Sequence, residues 1–111
     1  MKINIRRAGR VTILDLEGAL KLGAPEDAFR EQIRQLMTVG PTCLAINLAR
    51  VSDLDSSGVG LLLQTFAAFK RAGSRCAFFS PSERVKMVLR MVHLDRVLDI
   101  FEDEATALAG L

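Results

Sequence analysis

Two adjacent serines stand between an aspartate and two glycines in the segment DSSGVG, residues 55–60. A serine hydroxyl can accept a phosphoryl group, and apolar residues at helical spacing follow the segment. Gly58 and Gly60 each cost a helix about 1 kcal/mol relative to alanine, which indicates that something approaches the backbone closely at this helix start. The positive end of the helix dipole favours an anion there. The segment therefore predicts an exposed serine on which the fold would tolerate a phosphate.

The same residues also suit a simple helix cap. Aspartate and serine are preferred N-cap residues because their side-chain oxygens accept backbone N–H groups. Asp55 or Ser56 could therefore serve as a cap and nothing more.

The sequence lacks the groups that a catalytic serine needs. An activated serine requires a nearby base, and the only histidine, His93, forms no evident Ser-His-Asp order. No G-x-x-x-x-G-K-[ST] motif is present to hold a nucleotide. A receiver domain phosphorylated on Asp53 or Asp55 would need an acidic pair near the first strand, where Asn4 and Arg6 stand. The sequence thus predicts a substrate of a kinase and not an enzyme.

The bulk composition is that of one globular domain covering residues 1–111. Hydrophobic residues make up 50% of the chain and charged residues 25%. The net charge of +2 and the absence of Tyr and Trp argue against nucleic-acid binding. No signal peptide or membrane-inserted segment is expected. Cys43 and Cys76 belong to no Cys/His cluster, so we expect free thiols in a reducing cytoplasm, with no metal and no cofactor.

Hydrophobic periodicity predicts the element order β-β-α-β-α-β-α-β-α. Strands that alternate with helices favour an α/β fold with a mostly parallel sheet, to which the N-terminal hairpin adds one antiparallel strand. The predicted strands are a short one at Ile3–Ile5, then Val11–Leu16, Thr42–Leu48, Arg75–Phe79 and Val97–Phe101. The predicted helices run from Pro25 to Gly40-Pro41, from residues 55–60 to Gly73, from a capping box at Ser80-Pro81-Ser82-Glu83, and over Glu102–Leu108.

Helical spacing also predicts which side chains the first three helices bury. These are Phe29, Ile33, Leu36 and Met37, then Val59, Leu62, Leu63, Phe66 and Phe69, and finally Val85, Val88, Leu89 and Val92. Leu61 lies off the second of these stripes, so we expect it to be an exposed apolar contact.

Three segments of the chain carry a family resemblance. INLARVSDLDSSGVG (residues 46–60) resembles the signature of the anti-sigma factor antagonists, the STAS domains, in which a strand, a short loop and Asp-Ser-Ser-Gly-x-Gly open a helix. VTILDLEGAL (residues 11–20) is similar to the second strand of that family, and residues 69–108 are similar to its helix-strand-helix-strand ending. The resemblance covers nearly the whole chain and implies a single STAS-like domain.

The resemblance implies a phosphorylation switch. The first serine of the family motif corresponds to Ser56, which a partner kinase would phosphorylate, with Ser57 as the secondary candidate. Asp55, Ser57, Gly58 and Gly60 would support the helix mouth. The unphosphorylated protein would bind an anti-sigma factor that is also a serine kinase and release the sigma factor, and a serine phosphatase would reset the switch.

The resemblance also implies where the partner would bind, around Ser56. The expected contacts are Lys21, Leu22, Gly23, Asp53, Leu61, Ser82, Arg84 and Lys86. The chain departs from the family at Gly18-Ala19-Leu20-Lys21, where many members have an acid in place of the lysine, and this leaves the identity of the partner open. A scaffold in a stress-sensing or other phosphorylation-controlled complex and a regulatory subunit of a membrane transporter are the alternatives, and the oligomeric state stays open.

Overall fold

Five strands form one mixed sheet in the order in which they occur along the chain. The computed structural model describes residues 1–39 and 43–111. The first two strands pair antiparallel, and every later neighbouring pair is parallel. The strands are β1 (Lys2–Ala8), β2 (Val11–Leu20), β3 (Cys43–Leu54), β4 (Cys76–Phe79) and β5 (Ile100–Phe101).

Helices follow the strands in the predicted order, which confirms the α/β class and the sequence of elements. Within the described residues the α-helices are α1 (Ala24–Thr38), α2 (Ser56–Arg71), α3 (Glu83–Met91) and α4 (Glu104–Gly110), with a 3₁₀ helix at Leu94–Arg96. The predicted end of α1 at Gly40-Pro41 lies outside the described residues.

The two faces of the sheet belong to different cores because successive side chains of a strand point to opposite faces. Leu14 and Leu16 of β2 pack in the larger core together with α1, α2 and α3. Val11 and Ile13 pack on the other face with Ala107 of α4. Three helices thus cover one face, whereas the short α4 covers only part of the other.

The structure corrects several element boundaries: β2 ends at Leu20 and β3 at Leu54, later than predicted, and α4 begins at Glu104. The last strand begins at Ile100 and not at Val97, because the N–H groups of Val97 and Leu98 donate to the carbonyl of Leu94 in the turn that follows the 3₁₀ helix. The third helix begins at Glu83, and its N-cap is Ser82, whose Oγ accepts a hydrogen bond from the N–H of Val85. Ser80 therefore caps no helix.

The buried face of α2 differs from the one that its apolar spacing predicts. Leu61 is 4% exposed, so its prediction as an exposed partner contact is wrong. It lines the same crevice as Phe29 and Ile33 of α1, because α2 packs against both the sheet and a neighbouring helix. Leu63, Met37 and Val92 are in turn 38%, 41% and 48% exposed and were wrongly assigned to buried stripes.

Gly58 allows α2 to begin in contact with the end of β2. A Cβ at this position would overlap the carbonyl oxygen of Leu20 and lie 3.2 Å from the Cγ of the same residue. The group that approaches the backbone at Gly58 is thus a strand of the protein itself. Gly60 differs, since a Cβ there would have no neighbour within 4 Å.

A polar network fastens β1, β2, β3 and α4 together. Arg6 donates to Asp15 through Nε (2.6 Å) and to Glu104 through Nη2 (2.7 Å). Asn47 donates to Oδ1 of Asp15 at 2.8 Å. Hydrogen bonds from Arg6 lower the pKa of Asp15 to about 2. The network lies on the face of the sheet that α4 covers in part.

The two glycines of α2 should respond oppositely to alanine. We expect Gly58→Ala to lower the free energy of unfolding by about 1–3 kcal/mol, because its Cβ displaces backbone of β2. Gly60→Ala should raise it by up to about 1 kcal/mol, because alanine favours the helix and meets nothing. Urea unfolding followed by circular dichroism measures both, and an equal effect of the two changes would contradict this packing.

Acid should weaken the Arg6–Asp15 link. The pKa of Asp15 is lower in the folded protein than its ordinary value of 3.8, so its stabilisation is present above about pH 4 and is lost as the pH falls towards 2. We expect Asp15→Asn to lower the free energy of unfolding by about 1–2 kcal/mol at pH 7, after allowance for partial exposure. The variant should also lose less stability than the unchanged protein as the pH falls from 4 towards 2. Urea unfolding at pH 2 to 7 measures it. Glu17→Gln is the matched control, since among the described residues Glu17 makes only an exposed pair with Arg50 at 3.8 Å. If Asp15→Asn lost as much stability between pH 4 and pH 2 as the unchanged protein, the link would be contradicted.

Candidate functional site

Ser56 is the first residue of α2, and its side chain is exposed. Because β2 and β3 are parallel and Leu20 pairs with Leu54, the loop after β2 and the start of α2 meet at one edge of the sheet. The N–H of Asp55 donates to the carbonyl of Leu20 at 3.5 Å. Across residues 1–39 and 43–111, no hydrogen bond involves the hydroxyl of Ser56. The hydroxyl therefore projects from a well-anchored backbone without taking part in anchoring it.

Asp55 caps the helix and also holds the neighbouring loop. Its Oδ1 accepts the N–H of Gly58 and its Oδ2 accepts the N–H of Leu22, both at 2.9 Å. The N–H groups of Leu22, Gly58 and Ser57 lower the pKa of Asp55, because they stabilise its ionised form. The simple helix-cap interpretation is thus correct for Asp55, but its carboxylate does more than cap.

Asp53 joins two further elements beside the helix mouth. Its Oδ1 accepts a hydrogen bond from Nε of Arg84 at 3.0 Å, and Nζ of Lys21 lies 3.4 Å from its Oδ2. Arg84 is the main cause of a lowered pKa of Asp53, with the N–H of Leu54 next. Lys21 belongs to the loop after β2 and Arg84 to α3, so one carboxylate connects three elements.

The remaining predicted contacts lie either in the loop after β2 or at the start of α3. Leu22 is 72% exposed and Gly23 is its neighbour at the start of α1, so both lie on the surface of the loop that Asp55 holds. Ser82 donates to the carbonyl of Val51, which ties α3 to β3 at 3.3 Å. Lys86 pairs with Glu83 of its own helix at 3.4 Å and lines a crevice with Phe101 of β5.

The structure therefore brings Leu22 to Asp55, and Lys21 and Arg84 to Asp53, two residues before it. Leu61 is instead buried between α1 and α2. The role of Asp53 as a common partner of two cations was not predicted, and the only sequence signal for it was the unusual lysine at position 21.

A polar groove lies elsewhere, on the less covered face of the sheet. It measures about 430 Å³ and is polar, and Asp15 and Asn47 within it are hydrogen-bonded to each other. Sequence reasoning missed this groove, although polar residues alternate with apolar ones along β1 and β2. Its lining residues are Lys2, Asn4, Arg6, Asp15, Leu16, Glu17, Asn47 and Arg50.

The part of the chain that the structure describes offers neither a metal site nor a membrane span. No group of three or more His, Cys, Asp or Glu side chains there could hold a metal ion. No helix there is long and apolar enough to cross a membrane. Neither Cys43 nor Cys76 forms a disulfide with another described residue, and burial raises the pKa of the Cys76 thiol.

Comparison with known proteins finds similar chains both in sequence and in structure. A protein of Thermotoga neapolitana named as a homologue of an anti-sigma factor antagonist is 28% identical over 74 residues, which span 67% of this chain and 66% of that protein. An anti-sigma factor antagonist (STAS) domain protein from Planctomyces limnophilus superposes with a TM-score of 0.84 at 21% identity, over 97% of this chain and 96% of that one.

The phosphorylated form of the Bacillus cell fate determinant SpoIIAA superposes with a TM-score of 0.74 at 22% identity, over 97% of each chain. At these identities the two superpositions establish the fold alone. The family model described as the STAS domain matches residues 2–107. This chain therefore belongs to the STAS domain family.

Proposed function

We propose that this protein is an anti-sigma factor antagonist controlled by phosphorylation of Ser56. In its unphosphorylated form it binds an anti-sigma factor that is also a serine kinase, and the sigma factor is released. The observation that carries the proposal is the exposed Ser56 hydroxyl, held at a helix start where three elements meet. The relatives named as anti-sigma factor antagonists support it.

The surroundings of Ser56 suit a substrate of another protein. The chain contributes the acceptor hydroxyl, and the partner contributes the nucleotide and the base. His93, the only histidine, is exposed and follows α3, and no described hydrogen bond links it to Ser56. On this proposal the protein needs no cofactor, acts in the cytoplasm and does not bind nucleic acid.

Phosphorylation would act at the surface and leave the fold in place. The bonds that anchor the helix mouth are made by Asp55 and by backbone N–H groups, not by the Ser56 hydroxyl. A phosphate adds about −1.5 to −2 charges and considerable bulk. At a protein interface such a group repels and excludes a partner that fitted the free hydroxyl. A serine phosphatase would restore binding.

Variants at position 56 should separate the two states. We expect Ser56→Ala to retain the kinase partner from a native lysate, and Ser56→Asp to bind it at least about tenfold more weakly, a loss of about 1.4 kcal/mol. Quantitative mass spectrometry of the captured proteins, followed by titration calorimetry with the purified partner, measures the difference. Phosphosite mapping of the wild-type protein identifies the acceptor and decides between Ser56 and Ser57.

Ser52→Asp is the matched control, because Ser52 is an exposed residue of β3 near the site and receives the same charge. It should change the affinity less than about threefold. Equal capture by Ser56→Ala and Ser56→Asp would contradict the switch. Capture of a transport ATPase, or assembly into large particles irrespective of position 56, would instead indicate the transporter or scaffold role.

A further inference from the structure

Two backbone donors at the start of α2, the N–H groups of Ser57 and Gly58, already face the carboxylate of Asp55. Asp55 accepts the N–H of Gly58 and, from the loop, the N–H of Leu22. The N–H of Ser57 also stabilises the same carboxylate. A phosphate on Ser56 would therefore find these donors taken and would lie next to an ionised carboxylate that repels it. Positively charged side chains nearby would offset this repulsion.

Asp53, two residues before the helix cap Asp55, holds two cations. Nζ of Lys21 lies 3.4 Å from one carboxylate oxygen of Asp53, and Nε of Arg84 lies 3.0 Å from the other. The positive charge of Lys21 also reaches Asp55, whose pKa it helps to lower. Lys21 is thus close enough to the residue before Ser56 to influence it.

Both ion pairs are easily exchanged. The side chains of Lys21 and Arg84 are 48% and 54% exposed, and that of Asp53 is 28% exposed. Exposed pairs of this kind contribute little to stability because water and salt screen them. Either cation can leave Asp53 without a large loss, provided that a stronger anion is within reach.

We propose that Lys21 and Arg84 form a receiving site for the phosphate on Ser56 and leave Asp53 when that phosphate is added. The proposal rests on the proposed phosphorylation of Ser56. A phosphate carries more negative charge than one carboxylate and offers three acceptor oxygens. The guanidinium of Arg84 suits it because its donors form a fork that matches phosphate oxygens.

The exchange gives phosphorylation a second effect on the surface. In the unmodified protein Lys21 and Arg84 are fixed by Asp53 and partly exposed to a partner. In the phosphorylated protein both cations turn to the phosphate, and the carboxylate of Asp53 is released. The switch then changes the charge pattern of the loop after β2 and of α3, beyond the group added to Ser56 itself.

The test uses the whole chain with phosphoserine incorporated at position 56 during translation, so that no kinase is needed. A ³¹P NMR titration reports the second pKa of the phosphate, which is about 6 for an unperturbed phosphoserine. We expect a value at least about half a unit lower, since nearby cations favour the dianion. Lys21→Met and Arg84→Met should each raise it. Lys70→Met is the control that removes the same charge elsewhere. Lys70 lies in the last turn of α2, over the ring of Phe66, so its loss should leave the pKa of the phosphate unchanged.

A second signal follows Arg84 directly. Its Nε–H donates to Asp53 in the unmodified protein, so its ¹H–¹⁵N resonance should shift when phosphoserine is present and should show coupling to ³¹P. The proposed receiving site would be overturned if neither Lys21→Met nor Arg84→Met changed the pKa of the phosphate and the Arg84 resonance did not shift. That result would leave the binding difference between Ser56→Ala and Ser56→Asp untouched, so failure of this inference is distinguishable from failure of the proposed function.

Discussion

The parallel pairing of β2 with β3 is the constraint on which the candidate site depends. Because Leu20 and Leu54 end their strands side by side, the loop after β2 and the start of α2 must share one edge of the sheet. The carbonyl of Leu20 then lies where a side chain at position 58 would be, and only glycine fits. The ends of these two strands therefore set the position of Ser56 without any partner protein.

Two aspartates two residues apart complete this arrangement in different ways. Asp55 uses its carboxylate on backbone N–H groups and so makes the helix start and the loop one unit. Asp53 uses its carboxylate on the side chains of Lys21 and Arg84, which are exposed and exchangeable. The first contact is made to backbone and does not use the Ser56 hydroxyl, whereas the second is made to partly exposed side chains.

Local patterns were sufficient to predict the elements but not all of their boundaries. The alternation of strands and helices, Asp55 as a helix cap and Gly73 at the end of α2 are confirmed, since each depends on nearby residues. The long β3 and the late start of β5 depend on pairing with neighbouring strands. Leu61 was misassigned because helical spacing predicts only the face of α2 that packs on the sheet. It does not predict that α1 packs beside α2 and buries a further position.

The sequence by itself determined the α/β class, the family resemblance and the serine that stands at a helix start, because these depend on composition, periodicity and a contiguous motif. Only the tertiary structure decided which residues surround that serine. Lys21 and Arg84 are far from Asp53 in the chain and meet it only because parallel strands bring their loops to one edge of the sheet. It also decided that Gly58 serves the packing of β2, since that close approach involves a carbonyl of another element, which carries no signal in the local sequence.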